Sequence, residues 1–406
     1  MPDTLKPRDV KDVEAAVQWA IGESKSLEIV GHGTKRVLGR PAQVDATLDM
    51  SALAGVTLYE PEELVLSAKA GTPLAQIEEL IAASGQQLAF EPIDYGPLLG
   101  GPSGHATIGG VLAANVSGPR RIKAGAARDH FLGVNAVSGR GEIFKSGGRV
   151  VKNVTGYDLC KLLAGSWGTL AAMTDVTVKT LPRPETEQTL VVFGLDDATA
   201  ARAMSAALGA AVDVSGAAHF PAGVAARLLS GEARAATALR LEGVAPSVAH
   251  RIAALGALMK PFGTPVAVGP LASRTLWREI RDATPFATSG PSGDRPVWRI
   301  STAPLRGHEV ASTIRKATDA ELFYDWGGGL VWVALAKMDD AGAALVRRAV
   351  AAVGGHATLV RAPAALRASA GSFNAEPGGL AALTKRVKES FDPQGVLGPG
   401  RMWAGV

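Results

Sequence analysis

The chain holds a single cysteine, Cys160, so no intrachain disulfide and no multi-cysteine zinc or iron–sulfur site can be built within it. Its neighbours Leu159, Leu162 and Leu163 place it on a helix face and point to a buried, inert thiol. Aromatic residues make up only 5% of the chain, so the core must rest on Ala, Val and Leu. No stretch approaches 18 uninterrupted apolar residues, and Met1 to Val10 lacks the apolar run of a signal peptide. These absences lead us to expect a cytoplasmic chain with no direct membrane insertion, peripheral to a membrane only through partners. Runs of one charge sign are missing as well. The net charge of +4 is mildly basic, and Arg120-Arg121-x-Lys123 is the densest basic spot. Nucleic-acid binding needs a stripe of cations interleaved with aromatics, so that class is set aside. Histidines and acids show no metal-ligand spacing, and no metal site is expected.

What is abundant is glycine. The 48 glycines in 406 residues cluster instead of repeating, which argues against a collagen-like or linker origin. Residues Ser26 to Gly39 read SLEIVGHGTKRVLG, a short strand running into a glycine loop. Gly31 and Gly33 suit a tight turn, but Arg36 stands where a dinucleotide fingerprint has its third glycine. No helical period follows, so the Rossmann reading fails its context test. A loop of exposed N–H groups beside Thr34 and Lys35 remains, suited to an anion such as a pyrophosphate. Seven glycines lie in Gly96 to Gly118, GPLLGGPSGHATIGGVLAANVSG. A third block, Lys152 to Thr180, centres on Gly165-Ser166-Trp167-Gly168-Thr169-Leu170. So much ordered glycine costs conformational entropy, which a bound ligand can offset.

Strand-then-GHGTK, PSG-x3-IGG-x4-N-x2-G and GYDL-x5-GSWGTL-x3-T, in that order, resemble the flavin domain of the vanillyl-alcohol-oxidase (PCMH) type. Phe391 to Trp403, FDPQGVLGPGRMW, resembles that family's C-terminal signature. SGPRRIKAGAARDHFLG and LFYDWGGGLVW resemble the smaller FAD-binding subunits of bacterial three-component glycolate oxidases. The resemblance implies an α+β chain: a two-part FAD-binding domain over residues 1–182 and an antiparallel-sheet cap or substrate domain with helices on one face over 183–385. Residues 386–406 would return to the FAD domain. It also implies FAD, a larger FAD-binding sister subunit, an iron–sulfur subunit and a small 2-hydroxy acid as substrate. The sister subunit's H-x-G-D-G-N-type motif has no counterpart here, which leaves open a flavin-fold subunit that assembles partners or relays electrons without turnover. A stand-alone flavin oxidase of another hydroxy acid or alditol is the third reading.

Residue by residue, Gly31, His32, Gly33, Thr34 and Lys35 suit a pyrophosphate cradle. Pro102, Gly104, Thr107, Ile108, Gly109, Gly110, Ala114, Asn115, Ser117 and Gly118 suit a slot for the flavin ring. By analogy with the family, Gly165, Gly168 and Met173 complete the adenine side. Some relatives attach flavin through a loop histidine, but that histidine falls where Thr34 stands, so non-covalent FAD is expected. Oxidising a hydroxy acid needs a cation for its carboxylate and a base for its hydroxyl proton. Arg120, Arg121 or Arg128 can supply the first, and His130 or Tyr157 the second; Arg121, His130 and Tyr157 are the catalytic candidates.

Element patterns support the division. Asp9 is expected to cap a helix to Ser24, Thr72 and Pro73 to open another, and Tyr157 to Ala164 to form a third. Leu181-Pro182-Arg183-Pro184 marks a boundary. Beyond it, alternating strands and helices fit an antiparallel sheet in two ferredoxin-like halves, with Pro285 to Pro296 as a flexible seam.

Overall fold

The computed structural model describes residues 3–41, 43–150 and 156–406. Residues 152–155, which open the third glycine-rich block, lie outside them. The chain divides into two compact units: Met1–Ser117, Gly125–Arg183 and Ala375–Val406 form one, and Gly118–Ala124 with Pro184–Asn374 the other.

The first unit carries two main sheets. Strands β1 (Asp3–Leu5), β2 (Leu27–Val30) and β3 (Ala46–Asp49) run parallel in the order β1-β3-β2. Strands β4 (Val56–Glu60) and β5 (Val65–Lys69) precede a two-residue strand, β6 (Gln86–Gln87). Next come β7 (Phe131–Ser138), β8 (Ile143–Gly147), β9 (Ala171–Lys179) and β10 (Leu181–Pro182), the last paired with β6. The larger sheet is antiparallel, in the order β4-β5-β9-β7-β8. Helix Val10–Gly22 starts where expected because the Asp9 carboxylate accepts the amides of Lys11 and Asp12. Its Val13, Val17 and Ala20 are fully buried against Leu27, Leu48, Val137 and Leu397. Each buried valine or leucine side chain here contributes roughly 1.5–3 kcal/mol.

Strand β6 stops at Gln87, since Leu88, Ala89 and Phe90 are buried without ladder partners. One expected element is shorter. The helix over 157–164 covers only Leu159–Leu163, started by the Asp158 carboxylate on the Lys161 amide. Its Cys160 is buried, and that burial pushes the thiol up to about 12.

The C-terminal motif is held by one buried ion pair. Lys388 donates to Asp392 Oδ2 at 2.6 Å and to the carbonyls of Thr169 and Leu397, each at 2.7 Å. Asp392 in turn accepts the amides of Val396 and Leu397 at 2.9 and 2.8 Å. Leu27 and Val396–Gly398 then exchange backbone bonds at 2.7 Å, placing the chain end beside the glycine loop that follows β2.

The second unit is one eight-stranded antiparallel sheet. Its strands are β11 (Thr186–Phe193), β12 (Gly216–Phe220), β13 (Ala236–Gly243), β14 (Pro265–Val268), β15 (Val297–Ser301), β16 (Ala320–Asp325), β17 (Leu330–Leu335) and β18 (His356–Arg361). The order is β14-β11-β13-β12-β16-β17-β15-β18. Each half is a β-α-β-β-α-β unit with its fourth strand beside the first, then the third and the second. The two second strands, β12 and β16, meet where His219 faces Tyr324.

Helices Asp197–Gly209 and Ala245–Met259 cover one face of the first half, and Gly307–Ala317 and Ala343–Val353 the same face of the second. The opposite face is not bare. Pro270–Arg281 packs on the opposite face, where Trp277 Nε1 donates to Thr189 Oγ1 at 2.8 Å and Ser273 Oγ to Glu187 Oε1 at 2.7 Å. Polar groups at odd positions of β11 require a polar cover, and this helix supplies it. Gly216 makes room, since a Cβ there would lie 2.9 Å from the Trp277 ring. The segment expected as a flexible seam is tied down: Arg361 donates to the carbonyls of Phe286, Ser292 and Arg295.

Residues 118–124 leave the first unit to pack on the second. Arg120 pairs with Glu242 in a largely buried contact, and Lys123 pairs with Asp213. Trp326 Nε1 donates to the Gly118 carbonyl at 3.0 Å.

Candidate functional site

A cleft opens in the first unit between the loop after β2, helix Ile108–Ala114, the turn at Trp167 and β9. The loop forms because Gly33 turns with φ of +72° and Arg36 N bonds back to the Gly33 carbonyl at 2.9 Å. Gly31 lets it lie against the helix, since a Cβ there would sit 2.4 Å from Thr107 Oγ1. Across the cleft, Trp167 takes φ of +57° between Gly165 and Gly168, both also at positive φ. Arg401 enters from the C-terminal motif, its guanidinium 5.7 Å from the Trp167 ring and its Nη2 bonded to the Lys35 carbonyl at 3.2 Å.

The electrostatics favour an anion. The amides of His32, Gly33, Thr34 and Lys35 donate to no protein acceptor among the described residues. Backbone donors must find a partner, and four in succession at a cleft form a nest for one. Lys35 is 8% exposed, and among the described residues its ammonium hydrogen-bonds only to the Thr34 hydroxyl, at 3.3 Å. Burial lowers its pKa to about 8, with Arg401 lowering it further and Asp94 opposing. An ammonium held there gains from a neighbouring anion, and a pyrophosphate supplies one. The donor set fits the diphosphate of a dinucleotide, and Gly109, Gly110, Ala113 and Ala114 leave a wall without bulky side chains beside it.

A family model described as "FAD binding domain" matches residues 4–147. Over 399 residues the chain is 32% identical to "Glycolate oxidase subunit GlcE" of Escherichia coli (strain K12), covering 96% of this chain and 95% of the relative. The chain belongs to the glycolate oxidase subunit GlcE family. It is an FAD-dependent oxidoreductase chain. "Glycolate oxidase subunit GlcD" of Bacillus subtilis (strain 168) is 26% identical over 331 residues, 74% of this chain and 68% of the relative. Among solved structures, p-cresol methylhydroxylase with substrate bound superposes with a TM-score of 0.70 at 14% identity, covering 98% of this chain and 88% of that one. That likeness establishes the fold: a PCMH-type FAD-binding part followed by an antiparallel-sheet part.

In this GlcE-family chain, eleven of the eighteen expected cofactor residues line the cleft: Gly31, His32, Gly33, Thr34, Lys35, Thr107, Gly109, Gly110, Ala114, Gly168 and Met173. Several serve the fold first. Helix Ile108–Ala114 spends its leading amides on the protein, Ile108 on the Thr72 carbonyl, Gly109 on that of Ala70 and Gly110 on Thr107 Oγ1. Gly109 is glycine because a Cβ would lie 2.8 Å from Ala70. His32 is held through Nδ1 to the His105 carbonyl at 3.0 Å.

The other seven stand elsewhere. Pro102 and Gly104 are exposed, with the Gly104 amide on Asp94, and Ile108 is fully buried. Asn115 Oδ1 and Ser117 Oγ accept the amides of Arg128 and Ala127, bracing the next turn. Gly118 belongs to the second unit, and Gly165 lines a separate apolar groove beside helix Gly378–Phe391. The catalytic candidates are not gathered at the cleft. His130 is buried against Phe90 at 5.4 Å, Tyr157 is 89% exposed, and Arg121 lies in the second unit over Trp326. Arg401 and Trp167 are among the nine cleft residues that sequence reasoning passed over. Both sit inside motifs quoted for the resemblance, which was the available signal.

Among the described residues no group of three or more His, Cys, Asp or Glu side chains is placed to hold a metal ion, and no helix is long and apolar enough to cross a membrane.

Proposed function

We propose that this chain is the smaller FAD-binding subunit of a complex that oxidises glycolate to glyoxylate, alongside a larger FAD-binding subunit and an iron–sulfur subunit. The observation that carries this reading is near end-to-end similarity to a glycolate oxidase subunit, joined to a cleft whose four amides and buried Lys35 suit a diphosphate. Bound FAD supplies the acceptor for the hydride from the hydroxy-acid carbon. Residues 31–35 orient the diphosphate, Arg401 adds a second cation, and Gly109 and Gly110 admit the flavin close to backbone. The first unit is the FAD-binding domain, and the second supplies the substrate-binding side. The flavin is held non-covalently, since His32 already bonds the His105 carbonyl and Thr34 offers no nucleophile of the histidine type. A cytoplasmic chain reaching a membrane only through its partners completes the proposal.

A subunit that holds FAD and relays electrons without its own substrate turnover is the second reading, favoured by the missing H-x-G-D-G-N-type motif. One experiment separates the two. The purified chain is expected to show a flavin spectrum that passes entirely into the supernatant on acid precipitation. Glycolate bleaching that spectrum in the isolated chain supports direct oxidation, and bleaching only after the partner subunits are added supports relay. Colourless protein that takes up no added FAD overturns both.

A further inference from the structure

Sequence register places Arg299, Trp332 and Thr358 side by side on the sheet face opposite helices Gly307–Ala317 and Ala343–Val353, with Ser301 and His356 the next pair along. Two guanidinium groups converge there on one indole. The Arg121 Cζ lies 4.4 Å and the Arg299 Cζ 4.8 Å from the Trp326 ring centroid. Trp326 is fixed by its bond to the Gly118 carbonyl and by Asp325, whose Oδ1 accepts the Trp326 amide at 2.7 Å. Arg299 forms no ion pair among the described residues, and its buried Nε has no hydrogen-bond partner among them.

Two like charges on one ring repel, and a half-buried guanidinium without an acceptor has lost water it has not replaced. An anion lying between them would stabilise the arrangement. His356 reports the same field: burial lowers its pKa, and the charges of Arg299 and Arg121 lower it further. A neutral imidazole at that position can donate to, or accept from, a hydroxyl beside the anion.

We propose that Arg121 and Arg299, set on Trp326 with His356 alongside, form a binding site in the second unit for the carboxylate of a small organic acid. Guanidinium groups suit a carboxylate because their planar N–H forks match its two oxygens. The proposal deepens the functional reading above and rests on it for the identity of the acid. It assigns the substrate's carboxylate to residues of the second unit.

The test is titration of the FAD-loaded chain with glycolate and with oxalate by calorimetry, with flavin-to-protein ratio and circular dichroism recorded for every variant. Wild type is expected to bind both acids. Arg299→Gln and Arg121→Gln are each expected to weaken oxalate binding at least tenfold at unchanged flavin content, and Arg299→Lys to restore part of the loss. Wild type binding neither acid while fully loaded with flavin overturns the carboxylate site and leaves the flavin reading standing. So does an Arg121→Gln protein that binds oxalate as wild type does, a variant expected to fold because Arg121 is exposed. A chain that takes up no flavin yet binds oxalate through Arg299 overturns the flavin reading and keeps the site.

Discussion

Lys35 concentrates the chemistry of the first unit in one side chain. Its pKa near 8 lies below the ordinary value of 10.5, mainly because the ammonium is buried. Between those values the unfolded chain keeps a proton that the folded one has released, so the flavin-free protein gains stability as pH rises from about 8 to 10.5. The full span corresponds to about 3 kcal/mol. Flavin binding has the opposite sign, because a diphosphate favours the ammonium. FAD affinity is expected to be greatest below pH 8 and to fall as pH rises through it. Fluorescence titration at pH 7 and pH 9.5 measures this. Lys35→Met is expected to lose about tenfold in affinity at pH 7, about 1.4 kcal/mol, and most of the pH dependence. An unchanged pH profile in that variant would place the titrating group elsewhere.

Close approach between elements explains more of the glycine than ligand contact does. The loop after β2 rests on Thr107 because Gly31 has no side chain, and helix Ile108–Ala114 rests on the end of β5 because Gly109 has none. Gly31→Ala is expected to destabilise the protein by about 1–3 kcal/mol through overpacking against Thr107 Oγ1. The loss should appear as a lower melting temperature and reduced flavin content. Adding Thr107→Ala removes the clashing oxygen, so the double variant should recover part of the loss; additive effects would mean that the two residues do not meet as described. The same elements show where sequence reading succeeds. Asp9 as a helix cap followed from local pattern. Helix Pro270–Arg281 was passed over although Leu276, Trp277 and Ile280 are spaced for it and Pro270 opens it. The short β6 could not be read locally, because Leu88 to Phe90 are buried by packing instead of by strand pairing.

Chain connectivity is decided by a handful of buried ionic contacts. Residues 118–124 belong to the second unit although both flanks belong to the first, and Arg120 with Glu242 is the contact that places them. Both side chains are at most 10% exposed, and Arg240 also lies 3.5 Å from Glu242, so removing the Glu242 charge leaves two buried guanidinium groups less compensated. Glu242→Gln is expected to cost about 3–5 kcal/mol and to loosen residues 118–124, so that trypsin cuts faster at Arg120, Arg121 and Lys123. Limited proteolysis with mass analysis reads this directly; a variant cut no faster there than wild type would assign the anchoring to Trp326 and Lys123 instead. At the chain end, Lys388 and Asp392 do the equivalent work, locking the motif that carries Arg401 into the cleft.

Local pattern alone marked one buried thiol, a glycine loop unable to act as a Rossmann turn, a break in the chain at Pro184 and a loop of amides suited to an anion, while the α+β architecture followed from the family resemblance. The local marks follow from short-range rules: capping, periodicity, positive φ and the spacing of small residues. Tertiary structure alone decided which glycines serve packing, that Asn115 and Ser117 brace a turn, that Arg401 reaches Lys35, and that Arg121 meets Arg299 on Trp326. Each of those depends on residues tens to hundreds of positions apart in the chain, and no local preference encodes which distant partner a buried charge will find.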